Sequence, residues 1–139
     1  MGVAIEVEGP YLIRDYTVAA NTAIPKGTLC KISGSRTAAA NQSGDGSSVF
    51  AGIAATDKSV TDGDVSTELG LWETGIFLMS AALSGVAITE GMIVSMSGSN
   101  LIKQASAGEL LTGDVVGKAL QGIAADASAT GEVRIGGGI

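Results

Sequence analysis

AIPKGTLCKISGS, residues 23–35, returns as AITEGMIVSMSGS, residues 87–99. Between 23 and 87 the shift is 64, and across it Ala, Ile, Gly and the closing Ser-Gly-Ser keep their places, with Ile32 answered by Met96. Each copy runs from a Gly turn through an alternating stretch into a Ser-Gly-Ser turn. Alternation with period two is the pattern of a strand with one face covered. Gly and Ser clusters between such runs are turns. The echo therefore predicts two similar β units in one chain.

Further words repeat. Gly52-Ile53-Ala54-Ala55 returns as Gly122-Ile123-Ala124-Ala125, and Gly63-Asp64-Val65 as Gly131-Glu132-Val133. The shifts, 70 and 68, place a few extra residues in the second unit, at Ser106–Thr112. Two copies are too few for an open solenoid. The expectation is that units of about 16–68 and 76–136 close over a shared core.

Strand patterns fill the remainder. Ile5 and Val7 alternate with Glu6 and Glu8, and Val133 and Ile135 with Glu132 and Arg134. Met92, Val94 and Met96 share one strand face, with Ser95 opposite. Val49–Ala55 and Val115–Ala125 are more continuously apolar, as strands covered on both faces are. The one helical candidate is a short turn at Ser106–Leu111. The fold class is all-β: a small closed β-barrel or sandwich of two pseudo-repeated hairpin units, residues 16–139, behind an extended N-terminal arm, residues 1–15.

The totals narrow the function classes. Apolar residues make up 45% of the 139, enough for a packed core, but aromatics are only 4%, so Val, Ile, Leu, Met and Ala must fill it. The net charge is −6 and the eight Lys and Arg are scattered. Nucleic acid needs clustered cations to displace its counterions, so it is not expected as a partner. The apolar stretch between Glu73 and Glu90 is too short and too broken for a membrane span, which needs roughly 20 apolar residues. MGVAIEVEGP has no positive n-region, which argues against a secretory signal.

Candidate chemistry is thin. Cys30 is the only cysteine and reads as a small buried hydrophobe, since the chain has no histidine to activate it. Asp57, Asp62 and Asp64 lack the spacing of a calcium loop and read as a solvated acidic loop. Glu73 and Glu90 are poor as an acid–base pair. Sugar clefts need aromatic walls, and Glu90 falls where the other copy has Lys26. The Gly-rich stretches 44–46 and 136–138 lack the Lys-Ser/Thr of a phosphate loop. No catalytic, cofactor or metal residue is expected.

Partner-binding candidates remain. Trp72, between the copies, is a core residue or an interface anchor. The arm carries Ile5, Val7, Pro10 and Tyr11 outside the repeat, and a strand there either caps its own barrel or adds to another sheet.

The order of these features resembles the head-decoration, or capsid cement, proteins of tailed bacteriophages over about residues 16–136. Gly75-Ile76-Phe77-Leu78, Glu90-Gly91-Met92-Ile93-Val94, Gly117-Lys118-Ala119-Leu120 and Val133-Arg134-Ile135 carry the resemblance, with Met92 standing where the family has Asp. It implies a non-enzymatic β-barrel on the outer face of the virion capsid. There it would form a homotrimer that clamps and stabilises neighbouring subunits of the major capsid protein. The residues alone leave two other readings open: a ligand- or carbohydrate-binding β-module, and a minor tail or fibre component.

Overall fold

A computed structural model of the chain describes residues 3–9, 13–20, 22–43, 45, 48–59, 67–82, 87–125 and 129–136. Its elements in chain order are β1 (Ile5–Glu8), β2 (Ile13–Thr17), β3 (Leu29–Gly34), β4 (Thr37–Ala40), β5 (Phe50–Ala54), β6 (Glu68–Trp72), β7 (Gly75–Ala81), β8 (Ile93–Met96), β9 (Leu101–Gln104), α1 (Ala107–Thr112), β10 (Gly117–Ala119) and β11 (Gly131–Ile135). The class is all-β, as the alternation predicts.

The repeat holds at the level of register. β3 pairs with β4 through Cys30–Ala40, Lys31–Ala39 and Ile32–Ala38. Adding 64 to each number gives Val94–Gln104, Ser95–Lys103 and Met96–Ile102, the ladder of β8 with β9. The parallel bridge Thr17–Thr37 has its counterpart in Ser80–Leu101. The unit is thus one strand, a hairpin, and two more strands, used twice. The two units share a core cluster, as the echo predicts, and each also closes a ring of its own. The first runs β2-β4-β3-β5-β6, and the second runs β7-β11-β10-β8-β9 and back to β7. Closure leaves few free edges.

One repeated word is corrected. Gly52 opposes Cys30, and Cys30's counterpart Val94 opposes Gly117, so Gly117 and not Gly122 answers Gly52. Ile123 instead makes an isolated bridge with Ile88, as Lys58 does with Ile24. Short Gly-Ile-Ala words recur in β-proteins without marking the same place. Likewise β11 answers β6, whose Leu69–Leu71 face β2 as Gly131–Val133 face β7. The Gly63-Asp64-Val65 word lies outside the described residues. The strand expected at Val115–Ala125 spans only Gly117–Ala119.

The cores fuse across the two rings. Leu29 and Ile53 of the first barrel pack in one cluster with Phe77, Met79, Val94, Met96 and Val133 of the second. Tyr16, Val18, Cys30 and Leu71 form a second cluster inside the first barrel. Each fully buried Leu, Ile or Phe contributes about 1.5–3 kcal/mol relative to exposure. Polar ties add to the joint: the Leu29 N–H donates to Asn100 Oδ1 at 3.0 Å, and Asn41 Nδ2 to the Gly98 carbonyl at 2.7 Å.

The helix stands where the short turn was expected. Ser106 caps it in a capping box with Glu109, and Gly113 ends it in the left-handed region. Glu109 is buried against the barrel, accepting from Ser95 Oγ at 3.2 Å and the Ser106 N–H at 2.7 Å and pairing with Lys103 at 3.1 Å. Ser95, read as an outward residue, is fully buried because α1 covers that side of β8.

Candidate partner-binding site

The arm lies on its own chain. β1 runs antiparallel to β7, with Ile5 opposite Leu78, Glu6 opposite Phe77 and Glu8 opposite Ile76. Three contacts fasten it. Ala4 is buried, and its N–H donates to the Gly27 carbonyl at 2.9 Å. Glu6 pairs with Lys26 at 3.1 Å. The arm crosses directly over Gly27, where an added Cβ would come within 2.5 Å of the Ala4 carbonyl oxygen.

The alternation of β1 predicts one covered face, but all four residues are exposed. Ile5 is 55% and Val7 40% exposed. The arm is the edge strand of its sheet, paired with β7 on one side and with no strand on the other among the described residues. Apolar side chains held rigidly in water are the raw material of an interface. Beside the arm opens a cleft of about 410 Å³, with Glu8 and Gly9 on one wall and Ile76, Arg134 and Gly136 on the other.

Trp72 is elsewhere. It ends β6, opposite Ile13 and Ile53, and packs half-buried against the cluster that joins the two barrels. Its indole N–H is buried with no hydrogen-bond partner among the described residues. Pro10 and Tyr11 lie outside the described residues. Of the three predicted contact residues that are described, Ile5 and Val7 are brought together on the exposed arm and Trp72 lies apart from them.

Other exposed apolar residues went unread in the sequence. Leu111 is 89% exposed on α1, beside Leu110, and Ile13 is 50% exposed on β2. Adjacent leucines on a six-residue helix cannot both face the barrel, which is the signal that was available. Ile13, before Arg14 and Asp15, gave no comparable sign.

The ionisable groups with resolved partners are engaged within the fold. Glu73 is fastened to Arg14 at 3.1 Å and to the Tyr16 hydroxyl at 2.8 Å. Burial, and then that carboxylate, raise the Tyr16 hydroxyl above its usual range. Burial pushes the Cys30 thiol up to about 12. Lys31 and the Gln42 N–H hold Asp45 below its usual range. Asp57 accepts from the Lys26 N–H at 2.7 Å and so serves the turn, while Asp62 and Asp64 lie outside the described residues. Among the described residues no three of His, Cys, Asp and Glu are grouped as a metal site requires.

A family model described as phage cement protein matches residues 10–135, spanning both barrels. No curated relative matches the chain.

Proposed function

This chain belongs to the phage cement protein family, which gives it a structural role associated with the phage capsid, and we propose that it decorates the outer capsid surface and clamps neighbouring major capsid subunits. The observation that carries this reading is the family match running from before β2 to the end of β11, so that the whole double barrel is the family's unit. Clamping is stabilisation by mass action: a protein that binds the assembled shell and not its free subunits favours assembly. A rigid body with a fused core suits it, because little freedom is lost on docking. Homotrimer formation would multiply the contact without new chemistry.

The arm face supplies the contact we assign, with Ile5 and Val7 as its apolar residues. No turnover is part of the role. Glu73 and Cys30, the groups closest to chemistry by type, are bound up in the fold, one by Arg14 and Tyr16 and the other by complete burial.

The test is sedimentation of the purified protein with capsids of the encoding phage from which it has been stripped. Binding that saturates at a fixed ratio to the major capsid protein, and that raises the capsid's melting temperature, is the expected result. Protein that stays in the supernatant at micromolar concentration overturns the reading.

A further inference from the structure

The two barrels match in register, yet one edge is filled in the second barrel and, among the described residues, bare in the first. β1 covers the β7 edge at Ile76 and Leu78. Both strands pair antiparallel with the last strand of their unit, Ile13 opposite Trp72 in β2 and Ile76 opposite Arg134 in β7. Both also bridge in parallel to the third strand of their unit, at Thr17–Thr37 and Ser80–Leu101. Adding 63 to Ile13, Arg14 and Asp15 therefore gives Ile76, Phe77 and Leu78. Among the described residues no strand covers Ile13–Asp15 on this side.

The backbone there is aimed outward. The Thr17 N–H donates to the Arg36 carbonyl across the β4 side. By strand alternation the N–H and C=O groups of Asp15 and Ile13 point the same way. What occupies the place is a side chain: Arg36 Nη2 and Nε donate to the Asp15 carbonyl at 3.0 and 3.3 Å. Arg36 is exposed and rests over the Tyr16 ring at 5.8 Å. A charged side chain is a removable guard of an edge, unlike a paired strand.

The rest of the arm's footprint shows the same contrast. Gly27 is covered by Val3 and Ala4, whereas a Cβ at its counterpart Gly91 would meet nothing within 4 Å among the described residues.

We propose that the open edge of β2, at Ile13–Asp15, receives an extended strand of the capsid subunit, added antiparallel as β1 is added to β7. This rests on the capsid reading above and names how the partner docks. The chemistry of the strand follows from the edge. On β7, Glu6 stands opposite Phe77, and the counterpart of Phe77 is Arg14, whose side chain is 48% exposed. Arg14 is already paired with Glu73 and Arg36 with the Asp15 carbonyl, so the edge recognises its partner through its main chain and through an apolar residue that covers the half-exposed Ile13. Main-chain hydrogen bonds supply affinity and the alternating side chains supply selection.

The experiment uses the full chain and stripped capsids of the encoding phage. Ile13→Pro removes the outward N–H and the apolar side chain at the first residue of an edge, a place that tolerates Pro. The variant is expected to lose at least tenfold in capsid affinity. Amide exchange on the unaltered protein gives a second reading that needs no variant: the Ile13 and Asp15 amides are expected to slow at least tenfold in the capsid-bound state. If the unaltered protein binds capsids while Ile13→Pro binds equally and those amides exchange as before, the edge assignment is overturned and the capsid reading stands. If the unaltered protein does not bind, both fall. Slowing of the same amides in the protein alone at high concentration, with dimer formation, makes a second copy the occupant and overturns the assignment to the capsid.

Discussion

Gly27 and Gly91 occupy counterpart turns with the same φ of +88°, and only Gly27 carries the arm. The pair separates two costs that usually come together. Both positions need a left-handed backbone, which costs an L-residue about 1–2 kcal/mol. Only at Gly27 would a Cβ also strike another segment, the Val3–Ala4 backbone and side chain.

Gly91→Ala is therefore expected to lower stability by about 1 kcal/mol with the arm in place. Gly27→Ala is expected to cost more and to release β1. Urea unfolding gives the first comparison, and amide exchange of Ile5–Glu8 the second. Equal effects of the two substitutions, with β1 still protected, contradict the described seating of the arm.

The α1 helix depends on its cap. Ser106→Ala removes the acceptor for the Glu109 N–H and is expected to cost about 1 kcal/mol by urea unfolding. Leu111→Ser, at a site almost wholly in water, is expected to change stability by less than about 0.5 kcal/mol. A large loss at Leu111 means that it packs against something in the free protein.

Cys30 tests the interior of the first barrel. Its thiol is fully buried and pushed up to about 12, so almost no thiolate exists at neutral pH. A thiol reagent at pH 8 is expected to leave the native protein unmodified for hours and to react stoichiometrically in denaturant. Rapid modification of the native protein excludes a closed first barrel.

Asp45 gives a pH dependence with a definite sign. Lys31 Nζ reaches its carboxylate at 2.8 Å and lowers its pKa from the ordinary 3.8. A group depressed in the folded state contributes stability that is present above the unfolded value and lost as pH falls through the folded one. Stability is thus expected to fall with acid below about pH 3.8, with a shallower decline in Lys31→Met than in the unaltered protein. Identical acid profiles mean that the pair contributes nothing.

Much of this fold is legible in local pattern. The Ser-Gly-Ser echo marks β3 and β8 in one register, because turn chemistry and period-two alternation are set by neighbours in sequence. The short helix is legible because Ser106 and Glu109 form their box within one turn. What is not legible is decided by contacts distant in sequence. Nothing near Ile13 shows that no described strand covers its outer edge, since the strand that covers the counterpart edge, at Ile76, is β1. Ser95 is buried by a helix that follows it, and its own neighbours suggest solvent. The exposure of Ile5 and Val7 goes with β1 being the edge strand of its sheet, a place in the fold that alternation cannot encode.

A structural role on the assembled capsid makes this chain a regular component of the particle. Quantitative mass spectrometry of purified particles of the encoding phage tests it most directly. This chain is expected at a fixed ratio to the major capsid protein, in copies comparable to it or to a simple fraction of it. Absence from the particles, or presence in only a handful of copies, contradicts it.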